Sequence, residues 1–157
     1  MSSQIKETRH FGIVVKDMTK SLHFYRDLLG LEIVRIMDES GTYLDNILSI
    51  DKAHVKTIKM SAQNGVTLIE LLEFQSHPGQ NINRKINDIG PSHIAFTVNN
   101  LNEVYQKLKK NNIQFNAPPQ TSPDGYAKVT FCYDPDGIPI ELVEVLDPTV
   151  VLNNTKN

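Results

Sequence analysis

Apolar residues in this chain cluster in two patterns, short dense runs and wider helical stripes. The run VTLIELLEF, Val66 to Phe74, is short and almost wholly apolar, with Glu70 at its centre. Its length and density predict a buried strand. IPIELVEV, Ile138 to Val145, repeats the arrangement around Glu141. Strands are also predicted for His10–Val15, Leu31–Met37, Val55–Met60, His93–Val98, Ile113–Phe115 and Lys128–Tyr133. Helical spacing links Met18, Leu22, Tyr25, Leu28 and Leu29, with Asp17 as N-cap and Gly30 as the stop. A second stripe, Leu101, Val104, Tyr105 and Leu108, follows Asn100, with Glu103 placed as in a capping box, and ends at Asn111-Asn112.

Breakers divide these elements. Asp38 to Asp51 is polar with interspersed Tyr43, Leu44, Ile47 and Leu48, and reads as a loop with room for a short helix. Gln63-Asn64-Gly65 turns the Val55 strand back into the Glu70 strand as a hairpin. Residues 75–91 form a linker with a helical turn around Ile82 to Ile89, Ala117 to Tyr126 a loop, Asp134-Pro-Asp-Gly137 a turn, and residues 147–157 a tail. The two halves then echo each other. HFGIVVKDM from His10 aligns without a gap on HIAFTVNNL from His93, and each half closes on Ile-Glu-Leu, at Glu70 and at Glu141. The expected fold is α+β: one domain of two paired β-α-β-β-β modules, residues 8–74 and 92–146, related by a pseudo-twofold axis and forming a curved mixed sheet around a central cleft. One such module alone could hardly bury enough surface to be stable.

Side-chain alternation then selects candidate chemistry. His10, Gly12 and Val14 share a face against Phe11, Ile13 and Val15, and His93, Ala95 and Thr97 oppose Ile94, Phe96 and Val98. The bulky faces suit helix packing, and the histidine faces leave room for a cavity. Glu70 and Glu141 obey the same rule. A buried carboxylate is expensive unless paired, protonated or bound to a metal. Two histidines and two glutamates in symmetric positions therefore read as a divalent metal site: His10, Glu70, His93 and Glu141, suited to zinc, nickel, cobalt, manganese or iron. Taken singly, each has a bland reading, a hydrogen-bonded edge histidine or the exposed side of a strand.

The remaining candidates are weaker. His54 reads as an exposed loop histidine, His23 as the solvent side of a helix, and His77 as linker. Glu73 and Glu144 have the opposite parity and face solvent or the other packing layer. Tyr43, Tyr126, Phe131 and Tyr133 suit pocket walls, with Phe131 and Tyr133 equally suited to a core. Cys132, the only cysteine, reads as a small buried hydrophobe and excludes an intrachain disulfide. A net charge of -2 gives no basic field for nucleic acid. No signal sequence or membrane-length apolar run is visible, so the expected location is cytoplasmic, with no membrane partner.

These stretches resemble the vicinal-oxygen-chelate superfamily, which includes glyoxalase I, methylmalonyl-CoA epimerase, extradiol dioxygenases and the bleomycin-resistance proteins. The resemblance is carried by HFGIVVKD from His10, FYRDLLGL from Phe24, Ile69-Glu70-Leu71, HIAFTV from His93, and Asp134-Pro-Asp-Gly137 leading to Ile140-Glu141-Leu142. It implies one divalent metal, a small carbonyl or acyl substrate chelated through adjacent oxygens, and homodimers. The ligand set His, Glu, His, Glu is most similar to glyoxalase I. Two positions depart from its bacterial form: Val14 stands where an Arg helps bind glutathione, and Phe74 where an Asn stands. The activity implied is that of a lyase or isomerase that abstracts a proton next to a carbonyl, with Glu141 as base as well as ligand and Glu70 opposite it. The alternatives are an extradiol-type dioxygenase, disfavoured by the fourth ligand, and a non-catalytic small-molecule binding or resistance protein.

Overall fold

The computed structural model describes residues 5–80, 82 and 85–147, and they fall into two compact units divided between residues 81 and 82. In the first unit β1 (His10–Val14) leads through Asp17 into α1 (Met18–Leu22), which continues as a π-helical turn over His23–Leu28. Then come β2 (Glu32–Ser40), α2 (Thr42–Leu48), β3 (His54–Ser61) and β4 (Leu68–Phe74). The sheet order is β1-β4-β3-β2, with β1 parallel to β4 and the other pairs antiparallel. The second unit holds β5 (Ile94–Thr97), α3 (Leu101–Lys110), β6 (Gln120–Thr121), β7 (Ala127–Tyr133) and β8 (Pro139–Val145), in the order β5-β8-β7-β6. Here β5 runs parallel to β8, and again the other pairs are antiparallel. The α+β class and the repeated module are thus as expected.

The alternation decides which face of each sheet is core. Ile13, Ile58, Ile69 and Leu71 are buried on one face of the first sheet, together with Phe24 and Tyr25 from the helical segment. His10, Gly12 and Val14, on the other face of β1, are exposed. In the second sheet Ile94, Cys132, Ile140 and Leu142 are buried, and Ala95 and Thr97 are exposed. Asp17 and Asn100 cap their helices as expected, accepting from the backbone N–H of Lys20 and of Glu103 at 3.1 Å in both cases. Gly30 sits at φ +81, the left-handed conformation that ends a helix cheaply only at glycine.

Several local expectations shift. The first helix widens into a π turn, in which Leu29 N–H donates to Phe24 O at 3.0 Å. The wider turn puts Phe24 and Tyr25 side by side in the core, their rings 5.0 Å apart edge to face, and leaves Leu22 and Leu29 half-buried. The polar stretch after Met37 is not all loop: β2 runs on to Ser40, and α2 follows. Leu44 on α2 joins Ala53 and Val55 in a small second core, against which Leu48, Ile50, Leu72 and Phe74 pack. Ile113–Phe115 is not a strand and makes only an isolated bridge from Phe115 to Cys132, while the loop before β7 contains the short β6. The linker forms turns around Lys85 to Asp88, closed by Asp88 N–H on Lys85 O at 3.1 Å, and part of the expected helical turn lies outside the described residues. The tail from residue 148 onward lies outside them as well.

Candidate functional site

Each unit brings one predicted histidine to one predicted glutamate. β1 and β4 run parallel with Gly12 beside Glu70, which sets the His10 imidazole over the carboxylate. His10 Nε2 lies 3.0 Å from Glu70 Oε2. In the second unit Ala95 stands beside Glu141, and His93 Nε2 lies 3.1 Å from Glu141 Oε2. The two histidines are about equally accessible, with a third of each side chain exposed, whereas the glutamates are more enclosed. Small residues keep the fronts open. A Cβ added at Gly12 would stand 3.9 Å from Glu70 Oε2, so a larger side chain would crowd that carboxylate. The four predicted ligands thus stand as two pairs, one in each unit. Among the described residues no group of three or more His, Cys, Asp or Glu is placed to hold an ion.

The spacing of each pair is that of a histidine–carboxylate hydrogen bond and also that of two neighbouring ligands on one ion. Two donors each ~2.1 Å from one ion and at right angles are about 3.0 Å apart. That is the spacing within both pairs. Ser92 Oγ lies 2.6 Å from His93 Nδ1. With one tautomer Ser92 donates to Nδ1 and Nε2–H donates to Glu141; with the other Nδ1 donates to Ser92 and the Nε2 lone pair faces the carboxylate, as it does in a metal ligand. Holding the far nitrogen of an imidazole in this way is also what fixes a ligating histidine. Phe131 stands across from Glu141 on β7 and packs edge to face on the His93 ring, with centroids 5.2 Å apart.

One residue of this neighbourhood escaped the sequence reading. Lys59 on β3 is the cross-strand partner of Glu70, and its Nζ lies 3.0 Å from Glu70 Oε1. Glu70 therefore holds His10 on one oxygen and Lys59 on the other. The available signal was the hairpin: counting back from Gln63-Asn64-Gly65 with the parity of Glu70 reaches Lys59.

The other candidates go elsewhere. His54 opens β3 and pairs with Asp38, and His23 lies 3.2 Å from Asp27 on the helix surface. His77 is exposed in a turn, at φ 50. Asp27 is held down to about 2, chiefly by Arg26 and then by His23, all at the surface. Tyr43 is exposed on α2, and Tyr133 donates to Asn116 Oδ1 at 2.7 Å. Glu73 and Glu144 belong to the helix side. Glu73 Oε1 accepts from Met18 N–H at 2.9 Å, and Glu144 Oε2 from Leu101 N–H at 3.0 Å. Cys132 is fully buried, and burial, with Asp134 nearby, pushes its thiol up to about 12.

Residues 8–142 match the family described as the Glyoxalase/Bleomycin resistance protein/Dioxygenase superfamily. The chain belongs to that superfamily. Among superfamily relatives, the uncharacterised protein YwkD of Bacillus subtilis is 32% identical over 143 residues, covering 89% of this chain and 98% of its own. A lactoylglutathione lyase of Salmonella typhimurium is 28% identical over 149 residues, covering 92% and 97%. The fold is shared with a glyoxalase-family protein of Bacillus cereus, at a TM-score of 0.82 and 21% identity, over 94% of this chain and all of that one. Among the described residues no helix is long and apolar enough to cross a membrane.

Proposed function

We propose that the protein is a metal-dependent glyoxalase-like lyase or isomerase that removes a proton next to a carbonyl of a small oxygen-chelating substrate. His10, Glu70, His93 and Glu141 are the proposed ligands of one divalent ion. The observation that carries the reading is the repeated bite, 3.0 Å between His10 and Glu70 and 3.1 Å between His93 and Glu141, on residues that matching strands supply. Superfamily membership, and relatives named as lactoylglutathione lyases, support a glyoxalase-like activity. A divalent ion held there supplies Lewis-acid polarisation of the substrate's oxygens. The protein's own residues do the rest. Glu141 takes the proton, because among the described residues no lysine or arginine pairs with it, whereas Glu70 is engaged by Lys59. Ser92 and Phe131 hold the His93 ring in place. Glutathione is not supported as co-substrate: Val14 offers no cation, and Phe74 is committed to the core under α2.

Glu141→Gln tests this. The variant keeps shape and an oxygen donor but loses the base. With metal content measured on the same sample, it should lose at least the ~10²–10⁴-fold contributed by a positioned general base. Solvent deuterium should enter the substrate beside its carbonyl with the parent and not with the variant. A parent that consumes dioxygen and incorporates no deuterium would instead be an oxygenase.

A further inference from the structure

The two units differ in one respect at their matching carboxylates. Across from Glu141 stands Phe131, but across from Glu70 stands Lys59, and across from Lys59 on β2 stands Arg35. Direct cross-strand partners project from the same face. One face of the first sheet therefore carries the row Glu70, Lys59, Arg35, beginning at the His10–Glu70 pair. Like charges directly opposite each other destabilise a sheet. Lys59 is offset by Glu70, with only 17% of its side chain exposed. Arg35 is exposed, and its side chain has no ion pair or hydrogen bond among the described residues. Lys59 and Arg35 are thus neighbouring cations on the face of the proposed metal ligands, and among the described residues only Lys59 has a counter-charge.

Charge bookkeeping says what would satisfy them. Within the first unit Glu70 carries one negative charge, and Lys59 and Arg35 carry one positive charge each. The row is left with one net positive charge, before any bound ion adds its own. A neutral dicarbonyl would leave that excess in place, and an anion would remove it. We propose that the substrate is a small 2-oxo or 2-hydroxy carboxylic acid, whose carboxylate is received by Lys59 and Arg35. Such a compound carries two oxygens on adjacent carbons and a negative charge at once. The inference rests on the metal reading for its chelating oxygens and on the cation row for its charge.

The test compares pyruvate with hydroxyacetone, similar in size and in adjacent oxygens but neutral, by titration calorimetry on the full chain, metal-free and nickel-loaded, with metal content measured throughout. Pyruvate should bind the parent more tightly than hydroxyacetone. Arg35→Gln should weaken pyruvate about threefold or more, as for an accessible charge, and Lys59→Gln about tenfold or more, as for a charge-assisted hydrogen bond. Arg35→Lys should restore most of the affinity, and hydroxyacetone should not respond to Arg35→Gln. If the parent takes up no metal, the metal reading falls, while an Arg35-dependent pyruvate affinity in the metal-free arm still upholds the anion. Pyruvate binding that is absent from both arms, no tighter than hydroxyacetone, or unmoved by both substitutions overturns the inference and leaves the metal reading standing.

Discussion

Glu70 and Cys132 show opposite solutions to burying a titratable side chain in a strand. Glu70 sits among apolar neighbours with His10 on one carboxylate oxygen and Lys59 on the other. Cys132 stays neutral: burial, reinforced by Asp134, raises its thiol from 9.0 to about 12. The folded state therefore holds this proton at pH values where the unfolded chain has released it. The stabilisation is complete below the ordinary thiol range and is lost as the pH rises through it toward 12. Two outcomes follow for the residue. A thiol-exchange reagent at pH 8 should leave native Cys132 untouched and titrate it fully after unfolding in guanidinium. Cys132→Ala should flatten the alkaline fall in stability, and rapid labelling of the native protein would contradict the burial.

At the scale of elements, the two modules start their helices with the same device. The strand glutamate three residues past Glu70 or Glu141 reaches the first backbone N–H of its module's helix, Glu73 for α1 and Glu144 for α3. The free N–H groups and the dipole at a helix start favour an anion there. Each apolar-looking final strand thus carries two carboxylates with separate work, one to each face. Glu144→Ala should lower stability by about 0.5–2 kcal/mol, the usual loss for a helix cap, and Glu144→Gln by less, since an oxygen acceptor remains. Urea midpoints measure both. An alanine variant as stable as the parent would show that the contact contributes nothing beyond what water supplies.

For the whole molecule, the proposed metal makes a prediction about folding that neither unit makes alone. An ion that binds only the native state stabilises it by mass action, about 4 kcal/mol at a thousand times its dissociation constant. Chelation should therefore lower Tm in the parent. His10→Ala and His93→Ala lie in different units, and each should abolish most of the metal-dependent rise in Tm. A loss of the metal effect in both variants is what one shared ion requires. Two independent sites would leave a residual rise in each variant, and a parent whose Tm ignores metal would contradict the ligand assignment. Scanning calorimetry with metal analysis distinguishes these results.

What the sequence determined by itself is whatever depends on local periodicity and turn chemistry. Alternation put Ile13, Leu71, Ile140 and Leu142 in cores and His10, Glu70, His93 and Glu141 on the opposite faces, because a strand's two faces are set by its own pleat. The repeat told that each histidine strand has a matching glutamate strand, and Asp17 and Asn100 announced the helix starts. What only the tertiary structure decided depends on partners distant in the chain. Arg35 joins Lys59 and Glu70 through the register of β2 on β3, with an irregularity between Ile33 and Arg35 that no local pattern announces. Glu73 and Glu144 read as merely outward carboxylates until helices arrive on their side of the sheet. Tyr43 to Leu48 looks polar and broken in sequence, and becomes α2 because Leu44 and Leu48 find Val55, Leu72 and Phe74 to pack against. The π turn follows the same logic: Phe24 and Tyr25 are both driven into one core, and the backbone widens to let them in.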